Sequence, residues 1–460
     1  MAKVTINIIT EDEGQKQEKT MEFTVKDMRK WEEEGYRVGC SVAKELAKQI
    51  LKTLDDKLFA EHPQDWKSEC FRRRTRVTRF GSFKVRRRLY KDKEGNSHLL
   101  LDEYLNWPAY QKATPSFIEP LMELASQVPF RQVVETIKKL VAGVVSRSTI
   151  HEILQEIAGN VTEAEKAQWE ACFQKGALPE HGKLKVPILF VEADGIWVHN
   201  QQEGQKHYEL KNGIVYEGWE CIGDGRYALV NKHVYSHSDP SIPFWEGISL
   251  MMDRYWDMSS VKLFVIGGDG ANWVETGKEE IPYSVFQASG FHLSRACGIG
   301  WENGSYIYDA IRNGDSIILN QKECPGDKAS KARSYVMKRI KTGIDWRKQV
   351  DIHLCSDVRG LGCIEGNEDK IFANRLKKRG LSWTISGAQK MGKGIQLTYH
   401  GEWGPWCNRN IPTVEKGFLS FDLFDEPDRE VSLPSLEGPH ASRPWVRFIK
   451  DLAFPDPLLN

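Results

Sequence analysis

Val191-Glu192-Ala193-Asp194-Gly195 and, further on, Val265-Ile266-Gly267-Gly268-Asp269-Gly270 decide how this chain is read. Each is an apolar, β-rich run that ends in Asp-Gly. A sheet delivers a carboxylate to its edge in this way, where a ligand or metal ion can reach it. Asp-Gly is also a common turn dipeptide, so either motif alone marks no more than a turn. Two of them, seventy-five residues apart and both closing hydrophobic strands, point to one site. A third acid, Glu365, sits in Gly362-Cys363-Ile364-Glu365-Gly366, ahead of a basic amphipathic helix. Two strand-end Asp and one helical Glu suit a two-metal phosphoryl-transfer site. Hard oxygen ligands take Mg²⁺ (or Mn²⁺), and two such ions serve the attacking and leaving oxygens.

Three neighbours belong to the same reading. Glu192 lies two residues before Asp194 and shares its sheet face, as a support or an alternative ligand. Glu368 and Asp369 compete with Glu365 for the third place, and Glu368 would share a helix face with it. His292, in Gly290-Phe291-His292-Leu293-Ser294-Arg295-Ala296, follows a strand at Tyr283 to Gln287. It reads either as a capping or core histidine or as a group beside the metals or the scissile phosphate.

Working outward, Val186 to Val191 is a buried strand that continues past Asp194 through Ile196 to His199. Tyr208 to Trp219 and Tyr227 to Tyr235 read as antiparallel neighbours, Pro243 to Tyr255 as a helix, and Lys262 to Ile266 as the next strand. Three strands, a helix and a strand make the front half of an RNase-H-like α/β fold with a mixed sheet. Residues 300–355 are helical and polar and form an insertion before Glu365.

Residues 66–93 are very basic. Arg72, Arg73, Arg74, Arg76, Arg86, Arg87 and Arg88 alternate with Val77, Phe80, Phe83, Val85 and Leu89, with turns at Phe80-Gly81-Ser82-Phe83 and Glu94-Gly95-Asn96. The pattern predicts an antiparallel β element that tracks phosphates, or a solvated sheet face. Residues 115–160 are helical. A glycine turn at Ala142-Gly143-Val144-Val145 leads to Ser146, a good N-cap, and then to Arg147-Ser148-Thr149. This reads as a helix-turn-helix with Arg147 and Ser148 at the reading end, or as an ordinary helical hairpin.

Composition sets the frame. Lys+Arg and Asp+Glu number 64 each, so this is no histone-like polycation, although uneven charge placement leaves nucleic-acid binding open. Nine Cys without a CxxC pair favour reduced thiols and no zinc site. No run of eighteen apolar residues predicts a membrane span, and the N-terminus lacks a signal-peptide core. The expected segments are an N-terminal helical segment (1–60), the basic β element (61–107) and the helix-turn-helix-like domain (108–178). The catalytic domain follows in two parts (179–299 and 356–400) around the insertion (300–355), with a C-terminal segment at 401–460.

A resemblance unites these features. Val191-Glu192-Ala193-Asp194-Gly195-Ile196-Trp197-Val198 and Lys211-Asn212-Gly213-Ile214-Val215-Tyr216-Glu217-Gly218-Trp219 resemble the ISLre group of bacterial insertion-sequence transposases, related to the Mutator-like DDE transposases. So do Gly268-Asp269-Gly270-Ala271-Asn272-Trp273, Phe291-His292-Leu293, Gly362-Cys363-Ile364-Glu365-Gly366, and the run from Leu381-Ser382-Trp383 to Met391. The resemblance implies an RNase-H-like catalytic domain with Asp194, Asp269 and Glu365 as its acidic triad. It implies double-stranded DNA as partner, both terminal inverted repeats and target, and an oligomer on that DNA in the bacterial cytoplasm at the nucleoid. Ser289 stands where such enzymes usually carry Cys or Asp, three residues before the His, and Asn367 where the family has a His. The alternatives are a decayed, DNA-binding or regulatory derivative, and an RNase-H-like nuclease that does not join strands.

Overall fold

Apolar residues spaced by two in one stretch and by three or four in the next set the architecture of this computed structural model. It describes residues 2–12, 15–107, 111–179, 182–202, 204, 206–315, 321–350 and 358–408. The chain begins with a ribbon, β1 (Ala2–Asp12) and β2 (Gln15–Val25), paired antiparallel from Ala2↔Val25 to Asp12↔Gln15. Helix α1 (Trp31–Glu61) follows. The ribbon corrects the expectation of a helical N-terminus, which holds only from Trp31 onward.

The basic element is a three-stranded antiparallel sheet: β3 (Lys67–Thr78), β4 (Gly81–Lys91) and β5 (Ser97–His98). Its hairpin turn falls between Thr78 and Gly81, two residues ahead of the Phe80 to Phe83 turn expected from the sequence. Leu51, Leu54 and Leu58 of α1 pack on Phe83 and Val85, together with Leu101 of the short helix α2 (Leu100–Tyr104). Helices α3 (Pro115–Gln127), α4 (Phe130–Leu140) and α5 (Arg147–Trp169) come next. The Ser146 hydroxyl accepts from the Thr149 N–H at 3.0 Å, so the expected N-cap forms.

The central mixed sheet is built from β6 (Ile188–Asn200), β7 (His207–Tyr216), β10 (His233–Ser236), β11 (Leu263–Gly268) and β12 (Ser284–Ala288), with β8 (Gly218–Gly223) and β9 (Arg226–Val230) forming a separate ribbon. The order is β10-β7-β6-β11-β12. The first three are antiparallel, while β11 runs parallel to both β6 and β12. The sequence joined Tyr227 to Tyr235 into one strand. Asn231, held at φ 46°, divides it instead, and its halves belong to different sheets. All six residues of β11 are buried, as a strand covered on both faces must be.

One face of the sheet packs on α6 (Phe244–Tyr255), through Trp245, Ile248 and Met252 against Leu189, Val191, Phe264 and Ile266. Two short helices, α7 (Asn272–Glu275) and α8 (Gly277–Glu280), close that side. After β12 come α9 (Gly290–Gly300), α10 (Gly304–Asn313) and α11 (Asp327–Lys338), which share a small core of Leu293, Cys297, Ile307, Ile311 and Val336. The chain returns through α12 (Ile364–Asn367), a wide helical turn at Glu368–Ala373, α13 (Asn374–Leu376), β13 (Ser382–Trp383) beside β6, α14 (Ile385–His400) and α15 (Trp403–Cys407).

The other face carries the large core. Phe190, Ile214 and Val265 meet Ile364, Phe372, Met391 and Ile395, and the same cluster takes in Phe117, Leu121, Ile150 and Leu154. Helices α3 to α5 therefore share one core with the sheet, and residues 1–411 form one compact unit. The expected boundary at 179 therefore crosses one core, while the basic element with α1, and the insertion with α9, keep small clusters of their own; the boundary at 356 lies outside the described residues. Most of the 401–460 segment, from 409, lies outside the described residues, as does the end of the insertion from 351. Among the described residues no helix is long and apolar enough to cross a membrane.

Candidate active site and basic surfaces

The register of β6 and β11 places the two aspartates. Ala193 pairs with Gly268, so Asp194 and Asp269 stand side by side one residue beyond. Neighbouring strands run about 4.8 Å apart. Both side chains belong to the face that carries Phe190 and Val265. Each is oriented by its own turn: Asp194 Oδ1 accepts from the Gly195 N–H at 2.7 Å, and Asp269 Oδ1 from the Ala271 N–H at 2.8 Å.

The insertion fastens the second aspartate. Tyr335 donates its hydroxyl to the Asp269 carbonyl at 2.8 Å, and Arg339 donates to the Gly270 carbonyl. Gly270 has φ +82°, and a Cβ there would lie 2.2 Å from Arg339 Nε, so only glycine fits.

Glu365 arrives from the far end of the chain, and Glu192 brings it there. The Glu192 carboxyl is buried beneath α12. It accepts from the backbone N–H groups of Gly362, Cys363 and Ile364, each at 3.1 Å, and from the Tyr216 hydroxyl at 2.6 Å. Glu192 is thus the support the sequence allowed for and no open ligand. Period-two alternation from Asp194 was the signal that could find it.

Glu365 itself is engaged. His292 Nε2 lies 2.8 Å from its Oε1, and the Ser289 hydroxyl donates to the same oxygen at 3.4 Å. The His292 hydrogen bond holds Glu365 below the usual carboxylate range, and Glu365 raises His292 in turn. Ser289 therefore keeps a contact in the site. Asn367 has a structural place instead: it donates to the Cys363 carbonyl at 2.8 Å and accepts from Lys232 at 2.9 Å.

Burial pushes Asp194 up to about 7, with the Glu365 and Asp269 charges adding to the rise. Burial and the neighbouring charges both disfavour the ionised form, and a bound cation would oppose that. The oxygen-only donors beside it fit Mg²⁺ or Mn²⁺, with Asp194, Asp269 and Glu365 as the groups that would hold it. Among the described residues no three Asp, Glu, His or Cys side chains close on a common point. The two aspartates are neighbours across the β6–β11 pair, and Glu365 is held by His292 and Ser289.

The pH dependence follows in sign. The folded-state value of Asp194, about 7, exceeds the ordinary 3.8, so the folded protein holds the extra proton between them. Stability contributed by the protonated group is whole below about pH 4 and is lost as pH rises toward 7. Asp194→Asn should lack that loss and melt higher than the wild type at neutral pH. Mg²⁺ should raise the wild-type Tm and leave that of the variant nearly unchanged. Parallel thermal melts across pH 4–8, with and without Mg²⁺, check both.

The basic element divides in two. Arg76 is buried, its guanidinium 3.5 Å from the Trp107 ring centroid, and donates to the Gln111 carbonyl at 2.7 Å. Arg74 and Arg87 both bind the buried Asp102, and Arg88 binds Asp55 and Asp56. These four were expected on DNA. The structure directs them inward, because acids from α1 and α2 and the Trp107 ring fold over that part of the sheet. Arg72, Arg73, Lys84 and Arg86 stay exposed, Arg73 opposite Arg86 in register and Arg86 stacked 3.4 Å over Phe71. Arg147 and Ser148 are exposed at the start of α5.

A combined Arg73, Lys84 and Arg86 to Ala variant should bind DNA more weakly, its log–log salt slope reduced by about one unit per lost phosphate contact. Arg87→Ala should lower Tm and leave that slope alone. Salt-titrated fluorescence anisotropy and thermal melts separate the two groups.

With this geometry in view, the comparisons place the chain. It belongs to the UPF0236 family, described as an uncharacterised protein family, which it matches over residues 19–301. It is 28% identical over 391 residues to a UPF0236 protein in the vanSb 3′ region of Streptococcus gallolyticus, covering 80% of this chain and 82% of that one. It is 22% identical over 393 residues to a UPF0236 protein of Caldanaerobacter subterraneus subsp. tengcongensis whose name joins eleven locus designations, with 80% and 78% covered. A second protein of that bacterium is 22% identical over 401 residues.

Proposed function

We propose that this protein is a DDE transposase of the ISLre type that cuts DNA at the ends of an insertion sequence and joins them to target DNA. The observation that carries this reading is the pair Asp194, within β6, and Asp269, just past the end of β11, side by side on adjacent parallel strands, with Glu365 and His292 in electrostatic reach of Asp194. The order β10-β7-β6-β11-β12, three antiparallel strands followed by two parallel ones, supports an RNase-H-like catalytic domain. A relative whose single name covers eleven loci of one bacterium supports a sequence that multiplies within genomes.

In this reading Mg²⁺ or Mn²⁺, when bound, supplies an activated attacking oxygen and charge relief at the leaving oxygen. Asp194, Asp269 and Glu365 would hold it, with His292 orienting Glu365. Glu192 keeps the Glu365 turn at the sheet edge. Tyr335 and Arg339 fix the backbone behind Asp269. Arg72, Arg73, Lys84 and Arg86 position the double-stranded DNA, while Arg147 and Ser148 read its terminal repeat. The protein would act as a homo-oligomer on DNA at the nucleoid. The test is incubation with end DNA, a supercoiled target and Mg²⁺, followed by sequencing of junctions. End-specific cuts with joined products support the reading. Cuts without joining would make the protein a nuclease, and end binding without cuts a regulatory derivative.

A further inference from the structure

Beside Asp194, on the side away from Asp269, lies a group of oxygen atoms short of donors. Asn212 of β7 pairs directly with Asp194 of β6 and is fully buried. Its amide nitrogen donates to Glu368 Oε1 at 2.9 Å and to the Leu210 carbonyl at 3.3 Å. Its own oxygen, Oδ1, is buried without a hydrogen-bond partner, and so is Glu368 Oε2. Glu368 is 7% exposed and in electrostatic reach of both Asp194 and Glu365. The cluster thus offers a carboxylate at Asp194, a second at Glu368 and an amide oxygen, with one N–H donor group already used between them. A buried acceptor left unpaired is costly, so such an arrangement persists where something positive answers it. Glu365, the acid assigned to the metals, is meanwhile engaged by His292 and Ser289.

From this we infer that Asp194, Glu368 and the Asn212 amide oxygen form a cation site of their own, taking a divalent metal ion of the Mg²⁺ or Mn²⁺ class. Its ligands are all hard oxygens, which excludes a preference for soft metals. Glu368 opens the wide turn Glu368–Ala373 and lies three residues on from Glu365, with its side chain buried. The site extends the proposed function, since it shares Asp194, but it depends only on ion binding.

The experiment counts bound Mn²⁺ per chain and measures its affinity by titration calorimetry, in the wild type, Glu368→Gln and Asp269→Asn. Gln keeps the shape and the hydrogen bond with Asn212 while removing the charge. The expected result is the loss of one bound ion from Glu368→Gln and its retention in Asp269→Asn. Equal ion number and affinity in Glu368→Gln would overturn the site, and a proton on Glu368 would then satisfy both oxygens. Anomalous diffraction from Mn²⁺-soaked wild-type crystals decides the matter without any variant: a peak between Asp194 and Glu368 supports the site, and none there refutes it. Failure of the transposase reading would show separately, as absent strand transfer by a wild type that still binds its ions.

Discussion

Asp194→Asn and Asp269→Asn should each reduce strand cleavage by at least about a thousandfold, the scale reached when one charge-stabilising group is lost from a preorganised site. Asn matches Asp in shape and keeps an oxygen for the Gly195 or Ala271 N–H. What disappears is the negative charge that would hold a divalent cation. DNA affinity should stay close to wild type, because the exposed Arg72, Arg73, Lys84 and Arg86 lie on another sheet. Single-turnover cleavage of labelled end DNA, beside anisotropy binding of the same DNA, measures both. Cleavage surviving in both variants would remove the two aspartates from the chemistry, whatever the DNA affinity.

Glu192→Ala should have the largest effect on stability. The substitution strips the acceptor from three backbone N–H groups and from the Tyr216 hydroxyl, all under α12. The buried Ile364 N–H and Tyr216 hydroxyl alone, at about 1–3 kcal/mol for each group left unpaired, make the loss at least about 2 kcal/mol. Glu192→Gln retains one carbonyl oxygen and should fall between Ala and the wild type. Cleavage should fall in the same order, since the turn that carries Glu365 loses its anchor. Denaturant unfolding and cleavage rates on the same three proteins test this. An alanine variant as stable and active as the wild type would show that the Glu365 turn is held by packing alone.

The side-by-side placement of the aspartates was legible because two apolar runs each led to Asp-Gly, although β6 runs on through Asp194 while β11 stops before Asp269. Strand pairing and the direction of β11 then follow from the right-handed crossover through α6. Glu365 was not legible from pattern, because Glu368 and Asp369 lie within four residues of it. Only the family resemblance selected it, and Glu368 proves to be buried. The arginines were misjudged for a related reason. Alternation separates Arg72, Arg74 and Arg76 from Arg73, but it does not say which face is covered. Asp102 and Trp107 decide that, and both come from a later stretch of chain. The β1–β2 ribbon did carry its signal, with Val4, Ile6 and Ile8 alternating with Lys3, Thr5 and Asn7. Asn212 carried none, since its place depends wholly on register with Asp194.

The common core of α3–α5 and the central sheet has a practical outcome for anyone dissecting this protein. Fragments cut at 179 would each expose part of an apolar interior and should aggregate. Heating or denaturant should melt helices and sheet in a single cooperative step, with one midpoint by fluorescence and circular dichroism alike. A nick in the 141–146 turn should leave the two pieces bound together. Ile150 of α5 and Phe190 of β6 belong to the same packed interior, so a disturbance of the helices should reach the floor of the acidic cluster.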